Sequence, residues 1–387
     1  MRARVLNLKS EYIYISGLFL SWKLITLLAS IMAIKFIPLG YTDRFLGGGF
    51  LNYSIAPNFF GLANFDGEHY LSIAIFGYKG LEQAFFPLYP LLISFLSKPF
   101  SYDLLSSIIN SIMVGVIISN IAFFFSLIVL YKLLIIDFSK RTVLLTITLI
   151  TFFPTSFYFG AVYNESLFLL LTVLAFFNAR KGNWFLASFF GMLASTTRIF
   201  GIFLLPAFLL EAYLQKKYQQ LFWVMLIPLG LGFYMYYQYL TVSDPLAFYH
   251  LQDLVGEQRQ SSLVLLPQVY FRYLKMLGTF NDYNPINQTI LFELTVGIFF
   301  FILPIYGYFR KIRISYLLYA FMVFIITTVQ GSFSSLPRYC LVFFPSFIAF
   351  ALWLDQFPKL VKIVFIMSMI VLMMFETALF LRGYWIA

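Results

Sequence analysis

Apolar residues run along this chain in long blocks that are separated by shorter polar connections. Crossing about 30 Å of hydrocarbon takes roughly 20 helical residues, or fewer where short helices pack inside a bundle. We therefore predict an all-α polytopic membrane protein, a single domain over residues 1–387. The eleven expected helices are Tyr14–Ile37, Leu104–Tyr131, Val143–Gly160, Tyr163–Ala179, Trp184–Thr197, Ile199–Leu214, Leu221–Leu240, Thr289–Phe309, Ser315–Gln330, Pro337–Leu354 and Lys359–Leu381.

Two apolar stretches need separate treatment because of their lengths. The stretch Trp184–Leu214 would form a helix of about 46 Å at 1.5 Å per residue, so we expect it to break at Arg198. The segment Ala84–Lys98 is apolar but short, and it contains two prolines. We expect it to be a re-entrant or interfacial helix on the outer face and not a span.

Composition supports the membrane prediction and excludes several other classes of protein. Hydrophobic residues make up 61% of the chain and charged residues only 11%, whereas about a quarter of the residues of a soluble domain are charged. Cys340 is the single cysteine, so no intrachain disulfide can form. Gly47-Gly48-Gly49 lacks the strand and the Lys-Ser/Thr of a nucleotide loop and is expected to be a flexible turn. Nothing indicates nucleic-acid binding.

Charged residues sort to opposite sides of the predicted bundle. Most basic residues of the connections, such as Lys140, Arg180 and Arg313, fall on the side of the N-terminus, which the positive-inside rule places in the cytoplasm. The long connections 38–103 and 241–288 lie on the other side and are expected to carry function. The acidic residues on that outer side are Asp43, Asp66, Glu68, Glu82, Asp103, Glu165, Asp244, Asp253, Glu257 and Asp282.

The first candidate site is the segment Asn64-Phe65-Asp66-Gly67-Glu68-His69-Tyr70, which precedes a short apolar run that ends at Gly77. Asp66 is either an N-cap of a surface helix or a general base that takes a proton from an acceptor hydroxyl. Asp66 and Glu68 could hold a divalent cation such as Mg²⁺ or Mn²⁺, although residues two apart on a helix point to different sides. His69 is more often a packed residue than a metal ligand.

Further candidates lie at the outer ends of later helices. Glu165 begins an apolar helix in Tyr163-Asn164-Glu165-Ser166, and an ionisable group at membrane depth is a functional candidate. Pro337 is well placed to open a helix with Arg338 in its first turn, where the helix dipole favours an anion. A lipid phosphate would satisfy Arg338, with Arg198 assisting, but a structural ion pair with Glu165, Asp66 or another outer acid is the alternative.

Taken together, these motifs resemble the PIG-V-type mannosyltransferases. The resemblance rests on the first-loop Asp66 motif, on Ala84-Phe85-Phe86-Pro87-Leu88-Tyr89-Pro90 and on Tyr163-Asn164-Glu165-Ser166-Leu167-Phe168, with further support from Arg198 and from Pro337-Arg338-Tyr339. It covers 64–90 and 154–168 most specifically. Phe65 departs from the family, which usually has tryptophan there.

The resemblance implies a GT-C-like membrane glycosyltransferase of a prokaryotic cell membrane. Such an enzyme would move a hexose, expected to be mannose, from a polyprenyl-phosphate carrier to an acceptor hydroxyl of a lipid or glycan on the extracytoplasmic face, with inversion. Asp66 and Glu165 are the implied catalytic residues. The residues expected to contact substrates are Glu68, His69, Tyr89, Asn164, Arg198, Arg338 and Tyr339.

Two alternative functions share these sequence features. A lipid-linked oligosaccharide ligase or polymerase would also use outer carboxylates and arginines, but it would release a diphosphate carrier. A non-enzymatic transporter or flippase of anionic lipids would place its charges near the bilayer midplane, whereas most charges here cluster at one face.

Overall fold

The computed structural model describes residues 2–40, 55–251, 254, 264–278 and 285–386, without the side chains of 2–9, 285 and 286. Several features discussed above lie outside these residues. They are the Gly47-Gly48-Gly49 turn and the outer acids Asp43, Asp253, Glu257 and Asp282.

The described part of the chain is built from α-helices joined by 3₁₀ turns and short connections, and no β-strand occurs in it. The helices are α1 (Arg2–Phe36), α2 (Pro57–Phe60), α3 (Asp66–Phe76), α4 (Leu88–Ser97), α5 (Leu104–Leu134), α6 (Lys140–Thr151), α7 (Glu165–Lys181), α8 (Trp184–Thr197), α9 (Leu204–Leu214), α10 (Leu221–Val224), α11 (Ile227–Val242), α12 (Ala247–His250), α13 (Leu266–Leu277), α14 (Pro285–Phe309), α15 (Ile314–Thr328), α16 (Leu336–Tyr339), α17 (Phe344–Leu354) and α18 (Lys359–Leu381).

The helices follow the apolar blocks of the sequence, which confirms the prediction of an all-α membrane bundle. Helix α8 ends at Thr197, and Arg198 adopts an extended backbone (φ −154°, ψ 149°) before a 3₁₀ turn leads into α9. The chain therefore breaks at Arg198, as its length requires. Gly77, with φ of 80°, ends α3 where the sequence places the stop.

The number of spans is smaller than eleven when length is the criterion. Among the described residues, five helices are long and apolar enough to cross a membrane, or six if the pair Leu336–Val342 and Phe344–Leu354, bent by 91°, is one span. Other apolar blocks became helices of 10 to 17 residues, such as α8 and α15. Helix α4 in the 84–98 segment has 10 residues, about 15 Å. Eleven crossings stay a prediction.

Charged residues that the sequence assigns to one side of the bundle contact one another in the structure. Glu211 is fully buried, and the single Nε–H of Arg313 is shared between its two carboxylate oxygens at 2.9 and 2.7 Å. Glu211 also lies 3.6 Å from Arg180 Nε. Arg180 also pairs with Asp137. This inner cluster joins α7, α9 and the start of α15 at the end of the bundle opposite to the candidate site.

Candidate active site at one end of the bundle

Asp66 is the first residue of α3 and follows a strained turn. Phe65 occupies the N-cap position with φ of 59° and ψ of −119°, a conformation that a non-glycine residue rarely adopts and that costs about 1–3 kcal/mol. Asn64, fully buried, fixes the turn through its Nδ2, which donates to the Phe380 carbonyl at 2.7 Å. The N-cap alternative for Asp66 is therefore wrong, because the helix begins at Asp66 itself and Phe65 is the N-cap.

A close backbone approach brings this turn to the segment that precedes α7. The Val162 N–H donates to the Leu62 carbonyl at 2.9 Å, and Tyr163 Oη donates to the Asn64 carbonyl at 2.8 Å. Gly67 permits the approach, since a Cβ there would lie 3.3 Å from the Val162 carbonyl oxygen. The first outer loop and the start of α7 are thus held side by side.

Arg338 reaches the same place from near the other end of the chain. Pro337 lies in the first turn of α16, as its position in the sequence indicates, and the Pro337 carbonyl accepts a hydrogen bond from Thr155 Oγ1 at 2.7 Å. Ser335, with φ of 64°, turns the chain into α16. Because α16 has only four residues, the helix-dipole part of the phosphate argument does not apply.

The predicted site residues form a chain of alternating charges. Arg338 Nη1 donates to Asp66 Oδ2 at 2.6 Å, and Arg338 Nε lies 3.5 Å from Glu165 Oε1. Arg198 Nη1 donates to the same Glu165 oxygen at 2.7 Å. The exposed side-chain fraction is 1% for Glu165 and 3% for Arg338 but 19% for Asp66. Asp66 is therefore the most accessible of these three residues.

Aromatic rings surround the Arg338 guanidinium. Its carbon lies 4.9 Å from the ring centre of Tyr339, 5.4 Å from that of Tyr163 and 5.6 Å from that of Tyr158. Cation–π contacts of this kind stabilise a desolvated cation by about 2 kcal/mol. The Tyr339 ring is shared, because the Arg198 guanidinium lies 5.0 Å from it. The two arginines are thus held by one aromatic wall.

Two buried polar atoms of the cluster have no hydrogen-bond partner within the described residues. They are Glu165 Oε2 and Arg338 Nε. Buried polar atoms are nearly always hydrogen-bonded, so these two are exceptions that need a reason. A substrate with hydroxyl and phosphate groups could supply the partners of both.

The other predicted substrate contacts lie around the cluster in different roles. Asn164 Oδ1 accepts from Arg198 Nη1 at 3.2 Å, and its Nδ2 donates to the Thr197 carbonyl at 3.0 Å. Glu68 and His69 lie half-buried on the first turn of α3, where the His69 ring stacks on Phe85 at 4.7 Å. Asn164 therefore belongs to the charged cluster, whereas the observed contact of His69 is with the aromatic ring of Phe85.

Tyr89 is placed differently from what a sugar-facing aromatic residue requires. Its side chain is fully buried, and its hydroxyl donates to the Gly115 carbonyl at 3.0 Å and lies 2.8 Å from Ser119 Oγ. These contacts hold α4 against α5. The Tyr70 ring, 5.2 Å from that of Tyr89, separates it from the charged cluster on the α3 side. Burial raises the pKa of Tyr70 well above its ordinary range, so this phenol keeps its proton.

The described residues contain no group of three or more His, Cys, Asp or Glu side chains that could hold a metal ion. Asp66 directs one carboxylate oxygen to Arg338, and Glu68 lies two residues further along a regular helix. A divalent cation as cofactor stays a prediction.

Sequence reasoning missed several residues that shape this site. Tyr158 lies under Arg338, and nothing in the sequence distinguishes it from the many other aromatic residues. Glu293 and Glu376 are buried acids inside the apolar helices α14 and α18. An acid within an apolar block is a recognisable signal, and it could have identified both.

Comparison with known proteins places the sequence motifs in a family. A family model described as "Mannosyltransferase (PIG-V)" matches residues 19–244, more than half of the chain. These residues include Asp66, Glu165 and Arg198. No curated protein sequence is significantly similar to the chain.

The solved structures that resemble this one include those of an oligosaccharyltransferase, AglB, from the archaeon Archaeoglobus fulgidus. Its complex with an inhibitory peptide and a dolichol-phosphate aligns with a TM-score of 0.49 and 15% identity over 97% of this chain and 56% of AglB. The apo form aligns with a TM-score of 0.47 and 14% identity over 96% and 56%. The present chain thus spans about half the length of the archaeal protein.

Proposed function

Because the chain belongs to the PIG-V mannosyltransferase family, we propose that it transfers a hexose, mannose, from a polyprenyl phosphate to an acceptor hydroxyl. Transfer takes place on the extracytoplasmic face, with inversion at the anomeric carbon, and the acceptor is a lipid or a glycan. The observation that carries the proposal is the 2.6 Å contact between Arg338 and Asp66, which joins a general base to a phosphate-binding cation in one site.

The site can present a cation to the negatively charged phosphate of the proposed donor. Asp66 and Glu165 balance Arg198 and Arg338, so the cluster is neutral before the donor binds. A sugar diester of phosphate carries one negative charge and binds where Arg338 can turn from Asp66 toward it. Arginine suits this exchange because its planar guanidinium presents several donors to carboxylates and phosphates alike.

The reaction conserves charge within the site. The acceptor oxygen attacks the anomeric carbon, the bond from that carbon to the phosphate oxygen breaks, and the acceptor proton passes to Asp66. The leaving polyprenyl phosphate gains one negative charge while Asp66 loses one. Arg338 and Arg198 face the charge that develops on the phosphate, which is where preorganised cations accelerate a reaction most.

Glu165 serves the same site without taking the proton. It is buried between the two arginines and holds both of them, so its negative charge keeps the pair of cations together. Its second oxygen, Oε2, is available to a hydroxyl of the sugar. Glu165 thus positions the cations and the donor while Asp66, the more exposed acid, meets the acceptor.

The direct test is transfer of radiolabelled mannose from polyprenyl-phosphate mannose to a membrane lipid extract by the purified chain. We expect Asp66→Asn to lower the transfer rate about a hundredfold or more, because a general base is lost. Folding is expected to persist, since Arg338 keeps Glu165 as a partner. Parallel reactions with polyprenyl-diphosphate donors, and with added Mg²⁺, Mn²⁺ or chelator, define the carrier and the need for a metal.

Asp103→Asn is the matched control. Asp103 is also an acid at a helix start, where its side chain accepts a hydrogen bond from the Ser106 N–H of its own helix at 2.7 Å. Asparagine caps helices almost as well as aspartate, so this variant keeps wild-type transfer. Equal rates for wild type and Asp66→Asn, or no transfer from any monophosphate donor, would contradict the proposal.

A further inference from the structure

A second hydrogen-bonded network lies beside the active-site cluster and leads into α16. Tyr273 of α13 donates from its hydroxyl to Glu293 Oε2 of α14 at 2.6 Å. The same hydroxyl accepts the Phe333 N–H at 3.1 Å and lies 3.2 Å from Ser332 Oγ. The Tyr273 side chain is 1% exposed and the Glu293 side chain 3%.

This network holds the turn that directs Arg338. Ser335 has the left-handed conformation (φ 64°) that starts α16, and Arg338 lies on the single turn of that helix. A residue other than glycine keeps a left-handed backbone only when its surroundings hold it there. The Tyr273 hydroxyl accepts the N–H of Phe333, two residues before Ser335, and Glu293 fixes this hydroxyl by accepting its proton at 2.6 Å.

We propose that Tyr273 and Glu293 are positioning residues that fix Arg338 against Asp66 in the transfer site. Tyr273 contacts Glu293 and the 332–335 turn, so the effect of both side chains on the site passes through this turn. The proposal rests on the proposed function for its consequence on catalysis, but its structural part can be tested without any substrate.

Helix α13 adds to the role of this network because it lies on the surface of the bundle. Phe271 and Leu274 on its outer side are 68% and 59% exposed, while Val269 and Tyr273 on its inner side are buried. Its Arg272 Nη1 also donates to the Gly331 carbonyl at 3.1 Å. Helix α13 therefore holds the segment before Arg338 by hydrogen bonds at both Gly331 and Phe333.

A cysteine of the chain can report how often this turn opens. Cys340, the single cysteine, lies two residues after Arg338 and is fully buried. The rate at which N-ethylmaleimide labels it measures how often the 332–342 segment opens, because a buried thiol reacts only from an open state. The measurement uses the full wild-type chain in detergent.

Tyr273→Phe removes one hydroxyl and keeps the ring that packs on Phe333 at 4.9 Å. We expect labelling of Cys340 to become about tenfold faster, because the buried Phe333 N–H and the buried Glu293 carboxylate each lose a partner. We also expect kcat/KM for mannose transfer to fall about tenfold, since Arg338 binds the donor phosphate and faces the charge that develops on it. In an Arg338→Lys background, Tyr273→Phe should have little further effect on kcat.

Tyr270→Phe is the matched control, because it lies on the same helix and its ring packs on the same Phe333 at 5.0 Å. Its hydroxyl donates to the Gly297 carbonyl at 2.9 Å and not to Glu293 or the 332–335 turn. Both the labelling rate and kcat should stay within about twofold of wild type.

The outcomes separate this proposal from the proposed function. The positioning role is overturned if Cys340 of Tyr273→Phe is labelled at the wild-type rate. It is also overturned if Tyr273→Phe and Tyr270→Phe are labelled equally fast. Faster labelling of Cys340 in Tyr273→Phe than in Tyr270→Phe supports the positioning of the turn even if the chain transfers no sugar. The lack of transfer would then contradict only the proposed function. If Tyr273→Phe fails to fold, Glu293→Gln, which keeps an acceptor for the Tyr273 hydroxyl, should show labelling of Cys340 at an intermediate rate. Labelling of Glu293→Gln at the wild-type rate overturns the proposal.

Discussion

At the scale of single residues, the site depends on charges that are buried together. Arg338 is 3% exposed and lies between Asp66 and Glu165, which are far apart in the sequence. A buried ion pair is weak support for stability, but removing one partner is costly because the other charge stays desolvated. Removing one residue of the pair can therefore prevent folding, whereas replacing both residues by neutral ones can leave folding intact.

This argument predicts different stabilities for a single and a double variant. Arg338→Gln leaves Asp66 without its cation and should lower the free energy of unfolding by about 3 kcal/mol. Adding Asp66→Asn removes the unpaired charge and should recover most of that loss, while transfer stays absent. Thermal unfolding of the detergent-solubilised chains measures both effects, and equal Tm values for the single and double variants would refute the pairing.

Several site residues could be predicted from the sequence because they carry charge in an apolar chain. Asp66, Glu165, Arg198 and Arg338 were recognisable in this way, and they meet in the structure. Which acid pairs with which arginine could not be predicted, because it depends on turns at Phe65 and Ser335 that local preferences disfavour. Tyr158 could not be singled out, since 21% of the chain is aromatic.

At the scale of helices, close packing depends on small residues at the contact points. Helix α11 crosses α8 at Gly230, where a Cβ would lie only 2.1 Å from the Met192 carbonyl oxygen and 2.2 Å from Ser195 Oγ. Small residues permit such approaches between membrane helices. Ser195 uses the approach to donate a hydrogen bond to the Ile227 carbonyl at 2.6 Å.

Replacing this glycine should therefore loosen the pair of helices. Gly230→Ala forces the backbones apart and should destabilise the chain by about 2 kcal/mol, because overpacking of this kind strains both helices. Gly232→Ala, two residues along the same helix, meets no atom within 4 Å and should be neutral or stabilising. Thermal unfolding compares the two, and a similar Tm for both variants would show that the close approach is unimportant.

Helices could be predicted where hydrophobicity alone decides. The ends of α8 and α18 fall at the residues expected from the apolar blocks. The break between α16 and α17 was not expected, because the apolar block 337–354 contains no charge after Arg338 to mark it. Several apolar blocks became short helices that pack inside the bundle, so block length did not give a reliable count of spans.

At the scale of the whole molecule, the two ends of the bundle hold separate sets of charges. Arg180, Arg313 and Glu211 meet at one end, and Asp66, Glu165 and Arg338 meet at the other. The sequence predicts this separation from the alternation of basic and acidic connections. Which end faces the cytoplasm stays a prediction.

The central claim is that Asp66 and a carrier phosphate compete for Arg338, and equilibrium binding of polyprenyl phosphate tests it most directly. Neutralising Asp66 removes the competing carboxylate, so Asp66→Asn should bind polyprenyl phosphate about tenfold more tightly than wild type although it transfers no sugar. Arg338→Gln, combined with Asp66→Asn to preserve folding, should lose that gain. Unchanged or weaker binding by Asp66→Asn would contradict the account and leave the contact a purely structural ion pair.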